Sequence, residues 1–249
     1  MIFSMAPELV LLHGFTHSGA SWGRVVTALG ERYRPIAPDI RGHASAGAET
    51  PITPEAVIGD VAALAPAHFE LSGYSMGGRI ALHAALALPD RVRRLVLIGA
   101  SPGLADPAQR AQRVAADERL AAELEGASIE DFAQRWAQTP VLAGLPPDVA
   151  ADVHADRLRS TPAGLARALR GLGTGTLAPV WDRLEELTLP VTVIVGERDH
   201  KFRAIAAQMA ARLPQPRVEV VTGAGHAVHL EAPERVAELI AAAAAPPPP

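Results

Sequence analysis

Short apolar runs alternate with longer amphipathic stretches over most of the chain. Residues 9–12, 34–38, 69–72, 92–98, 191–195 and 218–221 read as strands. The segments between most of them carry helical periodicity, and this alternation predicts an α/β domain with a mostly parallel sheet. Polar or glycine residues stand at the C-terminal ends of the runs: His13-Gly14, Asp39, Gly99-Ala100, Gly196 and Thr222-Gly223. In open α/β sheets that edge is where ligands bind. Between residues 101 and 187 the strand pattern disappears and amphipathic helices, including 109–125 and 129–137, take over. The expected organisation is a core of residues 1–100 and 188–240 with an all-helical cap at 101–187. Residues 1–7 read as loose, and the Ala- and Pro-rich stretch 241–249 reads as a disordered tail.

Composition narrows the function classes. A 249-residue chain that is 49% hydrophobic can bury one large core, and a net charge of −4 gives no footprint for nucleic acid. The cluster Arg91, Arg93 and Arg94 reads as a solvated strand entry. The lack of cysteine excludes disulfides, thiol nucleophiles and thiolate metal sites. No run is long and apolar enough to cross a membrane, and the N-terminus lacks a signal-peptide layout, so a cytoplasmic location is expected. Lys201 is the single lysine in a chain with 23 basic residues.

The most chemically specific segment is Gly73-Tyr74-Ser75-Met76-Gly77, between an apolar run and an alanine-rich helical one. Glycines at these positions permit a strand-to-helix turn so sharp that the serine Oγ stands out at its tip. A nucleophilic or basic serine needs an imidazole, an orienter for it, and donors for a developing oxyanion. His226 follows the last predicted strand and Asp199 the one before it, giving the chain order Ser75, Asp199, His226. The backbone N–H groups of Phe15 and Met76 are the expected oxyanion donors. Glu197 and Asp106 are rival acids, and His200 and His229 are rival bases. His226 and His229 with Glu231 nearby form no recognised zinc pattern, and there is no phosphate loop or dinucleotide fingerprint, so neither metal nor cofactor is expected.

These residues resemble those of the α/β-hydrolase superfamily over nearly the whole chain. The resemblance narrows with Gly78-Arg79 after the serine turn, with Gly196-Glu197-Arg198-Asp199-His200-Lys201-Phe202, and with Trp136 followed by Thr139-Pro140-Val141. It extends to Gly164-Leu165-Ala166 leading to Leu169-Arg170-Gly171-Leu172-Gly173-Thr174-Gly175. Together these look like the 2-succinyl-6-hydroxy-2,4-cyclohexadiene-1-carboxylate synthases, pyruvate-eliminating lyases of menaquinone biosynthesis. The resemblance implies a small polycarboxylate substrate and a Ser75 alkoxide that removes a ring proton. It implies substrate contacts from Tyr74, Arg79, Arg113, Trp136, Lys201 and Phe202, and from one further cap arginine. Arg159 fits that place slightly better than Arg157, and Arg110 can exchange with Arg113. Arginine's planar fork suits carboxylates in a half-dry pocket.

The alternative from the same triad is a serine hydrolase, acting on esters or on carbon–carbon bonds, and a catalytically idle receptor is a third reading. One departure from the superfamily stands out. Ala44 occupies a loop position usually held by glycine, and because alanine resists positive φ the loop 39–45 is expected to run differently.

Overall fold

The computed structural model describes residues 6–139 and 145–242. Six strands, β1 (Glu8–Leu12), β2 (Arg34–Ile36), β3 (Phe69–Tyr74), β4 (Val92–Ile98), β5 (Val191–Gly196) and β6 (Pro216–Val221), form one sheet in the order β2-β1-β3-β4-β5-β6, all pairs parallel. Side chains alternate between its faces. Val10, Leu12, Leu71, Leu95, Leu97, Val193 and Val195 point to one face, where α2 (Pro54–Leu64) and α3 (Met76–Ala87) cover them. Leu9, Leu11, Val96, Ile98 and Ile194 point to the other, under α1 (Gly23–Leu29). Burial on both faces is why the runs read as continuously apolar.

The strand order reverses between β1 and β3, since the chain leaves β1 toward one edge and returns on its other side. Such a switch point opens a crevice at the strands' C-terminal ends. Here the loop after β1 and the serine turn after β3 face each other across it.

Between β4 and β5 the described residues hold four α-helices, a 3₁₀ helix at Trp181–Glu186 and no strand: α4 (Pro107–Glu125), α5 (Ile129–Ala137), α6 (Pro147–Arg157) and α7 (Pro162–Leu172). N-caps explain three of the starts. Asp106, Ser128 and Thr161 accept from Gln109, Asp131 and Gly164 backbone N–H groups respectively. Leu124, Phe132, Leu165 and Leu169 form a small apolar centre among these helices. At the C-terminal side of the predicted cap the packing changes. Leu172, Leu177, Val180, Leu184 and Leu187 are buried with the sheet's own core rather than with this centre. The remaining helices are α8 (His200–Ala210), α9 (Val228–Glu231) and α10 (Pro233–Ala242). Ala241 and Ala242, read from sequence as tail, belong to α10, and residues 243–249 lie outside the described residues. Pro7 is not loose, because its carbonyl accepts from Arg34 N–H at 3.0 Å. Ala44 adopts φ +38°, so the loop keeps its left-handed residue without a glycine.

Candidate active site

The serine turn is built by close approach. A Cβ on Gly77 would lie 2.2 Å from the Leu12 carbonyl oxygen, and one on Gly73 would lie 2.4 Å from that of Gly77. Without side chains there, α3 starts directly on the end of β1, and Ser75 is forced to φ +51°. Positive φ in a non-glycine residue costs on the order of 1–3 kcal/mol and persists only where the surroundings over-determine it. The Ser75 N–H is held by the Ile98 carbonyl at 2.9 Å.

His226 Nδ1 lies 2.6 Å from Asp199 Oδ2, and its Nε2 lies 3.3 Å from Ser75 Oγ. The carboxylate can only accept, so Nδ1 carries the proton and Nε2 is free to take one from the serine. Asp199 also caps α8 through Phe202 N–H at 3.2 Å. The rival acids have other partners. Asp106 caps α4, and Glu197 accepts from Gly223 N–H at 2.8 Å. Of the rival bases, His200 is exposed and His229 is fully buried against Tyr74, 4.2 Å between ring centroids. Glu231 accepts from Gly225 N–H at 2.8 Å and pairs with Arg198, which fixes the loop carrying His226.

Met76 is the first residue of α3, so its N–H has no intrahelical acceptor and sits at the positive end of the helix. Phe15 belongs to the loop after β1, next to Thr16, which has φ +70° and no solvent exposure. Two cap residues hold this loop. Asp156 accepts from Ser18 N–H at 2.9 Å and from the Ser18 hydroxyl, and Arg157 Nε donates to Thr16 Oγ1 at 3.3 Å. Burial works to raise the Asp156 pKa, but the His17 ring 3.6 Å away and the hydrogen bonds from Ser18 prevail and hold it below its usual range.

The predicted contact residues fall into groups. Phe202 lies 4.6 Å from the His226 ring and carries the Lys201 ammonium 5.5 Å above its own ring. Tyr74 is buried beside His226, at 5.4 Å. Trp136, on α5, stands edge-on to Phe15 at 5.5 Å. Pro140 and Val141 of the same motif lie outside the described residues. Arg79 is partly buried, and its Nε has no hydrogen-bond partner among the described residues. Burial and the like charge of Arg113 lower its pKa to about 10, opposed by Asp117. Arg113 Nε donates to the buried Asp117 at 2.8 Å. Arg110 likewise has a buried Nε without a partner.

For the further cap arginine the structure separates two neighbours. Arg157 is 1% exposed and turned to the loop after β1, whereas Arg159 is exposed. Arg159 lines a cavity of about 320 Å³ with His17, Arg24, Val149, Asp156 and Leu230, a lining that includes neither Ser75 nor His226. Sequence spacing does not decide between the two, the family resemblance leans slightly to Arg159, and the cavity that Arg159 lines is not the one at the triad. The contacts of Asp156 and Ser18 have no signal in spacing, because they join segments 138 residues apart.

Comparison with known proteins agrees with this geometry. Residues 9–239 match the alpha/beta hydrolase family. The chain is 36% identical to the putative 2-succinyl-6-hydroxy-2,4-cyclohexadiene-1-carboxylate synthase of Bacillus subtilis, over 93% of this chain and 88% of that one. It is 33% identical to the synthase of that name from Serratia proteamaculans, over 93% and 90%. The solved structure of MenH from S. aureus superposes with a TM-score of 0.90 at 28% identity, covering 97% of this chain and 94% of that one. The chain thus belongs to the alpha/beta hydrolase family, among the relatives of the 2-succinyl-6-hydroxy-2,4-cyclohexadiene-1-carboxylate synthases.

Proposed function

We propose that the protein is a carbon–oxygen lyase. It eliminates pyruvate from 2-succinyl-5-enolpyruvyl-6-hydroxy-3-cyclohexene-1-carboxylate to form 2-succinyl-6-hydroxy-2,4-cyclohexadiene-1-carboxylate. The observation that carries this reading is the combination of a Ser75–His226–Asp199 line with arginines whose buried Nε atoms lack partners among the described residues, Arg79 and Arg110. Guanidinium nitrogens left unmatched in a half-dry pocket suit a substrate that brings its own carboxylates. A pocket for neutral esters has no use for them. The names of the relatives support the same reading.

In this mechanism His226 Nε2 takes the Ser75 proton, and the alkoxide removes a proton from the substrate ring. Negative charge spreads into the succinyl ketone oxygen, where the N–H groups of Phe15 and Met76 stabilise it. The ring C–O bond to the enolpyruvyl group then breaks. The departing enolate takes a proton and becomes pyruvate, and no water is consumed. Arg79 and Arg113 hold substrate carboxylates, with Arg110 or Arg157 as further cations. Tyr74, Trp136, Lys201 and Phe202 shape the pocket.

The test is a pyruvate-coupled assay on the enolpyruvyl precursor beside a panel of simple esters. The expected result is one pyruvate per diene formed, with no solvent ¹⁸O in either product carboxylate. Brisk ester hydrolysis through an acyl-Ser75, with no pyruvate released, overturns the proposal in favour of a serine hydrolase. Tight ligand binding unchanged by Ser75→Ala, with no turnover, indicates a receptor.

A further inference from the structure

The last turn of α6 is out of keeping with its local rules. An acidic residue there opposes the helix dipole, which favours cations at that end. Asp156 nevertheless sits there, 8% exposed, and both of its oxygens are taken up by Ser18. Its neighbour Arg157 is buried and reaches Thr16. His17, between these two loop residues, has its Nδ1 3.6 Å from Asp156 Oδ2. Three consecutive residues of the β1 loop are therefore engaged by two consecutive residues of the cap. The loop they engage is strained at Thr16, a β-branched residue in the left-handed region, immediately after Phe15.

We propose that Asp156 and Arg157 form a latch by which the cap positions the Phe15 N–H, so that docking of α6 and assembly of the oxyanion site are one event. Asp156 is a positioning residue in this scheme. It touches no substrate and acts through Ser18 and the backbone that leads back to Phe15. The loop lacks regular structure of its own between β1 and the 3₁₀ turn at Gly19–Trp22, so its geometry rests on such contacts. A strained conformation persists only where neighbours over-determine it, and the latch supplies those neighbours. Misplacing a reacting or stabilising group by about 1 Å costs on the order of 10²-fold in rate. The kinetic part of this inference rests on the lyase reading, whereas the structural part does not.

The experiment compares wild type, Asp156→Ala and Asp156→Asn by hydrogen exchange and by kinetics. Asparagine keeps an acceptor for Ser18 N–H, and alanine keeps none. In Asp156→Ala, amides of residues 13–22 are expected to exchange about 10-fold faster or more, with those of β3 and β4 unchanged. Pyruvate release should fall roughly 10²-fold in kcat at a KM within about 3-fold of wild type, and Asp156→Asn should stay within about 5-fold of wild type. Exchange that is unchanged at 13–22, or a loss confined to KM, overturns the latch. An equal loss in both variants also overturns it, since charge rather than hydrogen bonding would then be responsible. If wild type releases no pyruvate, the lyase reading fails by itself. The latch is then judged by exchange and by the rate at which a fluorophosphonate labels Ser75, which should fall in Asp156→Ala.

Discussion

Arg79 carries a cost that a ligand carboxylate would relieve further than Asp117 does. Its guanidinium is drawn out of water, its Nε has no partner among the described residues, and the charge of Arg113 lies close by. With its pKa at about 10 it stays protonated at neutral pH, so the repulsion is not escaped by losing the proton. Replacing a poorly compensated buried charge by an apolar side chain of similar length is often neutral or stabilising. Arg79→Met is therefore expected to keep or raise the melting temperature while lowering kcat/KM about 10–150-fold, the equivalent of one charge-assisted hydrogen bond of about 1.5–3 kcal/mol. Thermal melts beside pyruvate-release kinetics check both halves, and a large drop in melting temperature would make Arg79 structural. Asp199 offers the complementary case. Asparagine caps a helix as well as aspartate does, so Asp199→Asn should leave α8 intact. It cannot hold the His226 Nδ1 proton as a carboxylate does. A kcat loss of about 10³–10⁴-fold at nearly unchanged melting temperature is expected.

At the scale of elements, the site depends on α3 starting on top of β1. Gly77→Ala would drive a methyl group to 2.2 Å from the Leu12 carbonyl and 2.5 Å from that of His13, and backbone cannot swing aside as a side chain can. The expected cost is at least about 1–3 kcal/mol, several degrees in melting temperature, with turnover lost as Met76 and Phe15 separate. Gly59, inside α2 with nothing within 4 Å of the place a methyl group would take, is the control. Gly59→Ala should stabilise by roughly 0.5–1 kcal/mol. The two melts together separate a glycine required by contact from one that is merely tolerated. The same contrast shows what the chain reveals by inspection. Strands were legible because both faces of the sheet are buried, and the serine turn because its glycines, apolar strand and helix adjoin in sequence. The order Ser75, Asp199, His226 was legible because each residue follows its own strand run. Asp156 was not, because nothing in the local pattern of α6 ties it to Ser18. Arg157 and Arg159 differ by two positions, more than half a helical turn, and only the packed helix end shows which one turns inward. The packing of residues 172–187 was hidden for a related reason: their helical rhythm says nothing about which core they join.

At the scale of the whole molecule, several histidines are folded into the interior in neutral form, and this sets how stability responds to acid. His13 is fully buried. Its Nε2 accepts from Ile40 N–H at 2.8 Å, and its Nδ1 contacts the Gly14 carbonyl at 2.9 Å. The amide can only donate, so the tautomer is fixed, and a second proton would sever the bond to Ile40. Burial, with the neighbouring His17 adding to it, lowers the His13 pKa to about 4 against the pull of the Gly14 carbonyl, Asp39 and Asp156. Burial and His13 lower that of His43 to about 3. In the unfolded chain both titrate near 6.5. Between pH 6.5 and 4 the unfolded chain therefore binds protons that the folded one refuses, and stability falls as pH falls. The slope approaches about 1.4 kcal/mol per pH unit for each such histidine once the pH is well below 6.5. His17 and His229, also lowered by burial, act in the same direction. Asp39 and Asp156, whose pKa values lie below the usual aspartate range, contribute below about pH 4 and so leave the upper window to the histidines. Denaturation midpoints should thus be nearly flat from pH 8 to 7 and decline steeply from 6.5 to 4.5. His43→Asn, which can still donate toward the Ile40 carbonyl, should be less stable at pH 7.5 yet lose less on acidification. An unchanged slope in that variant would remove His43 from the account and leave the acid response to the remaining buried histidines.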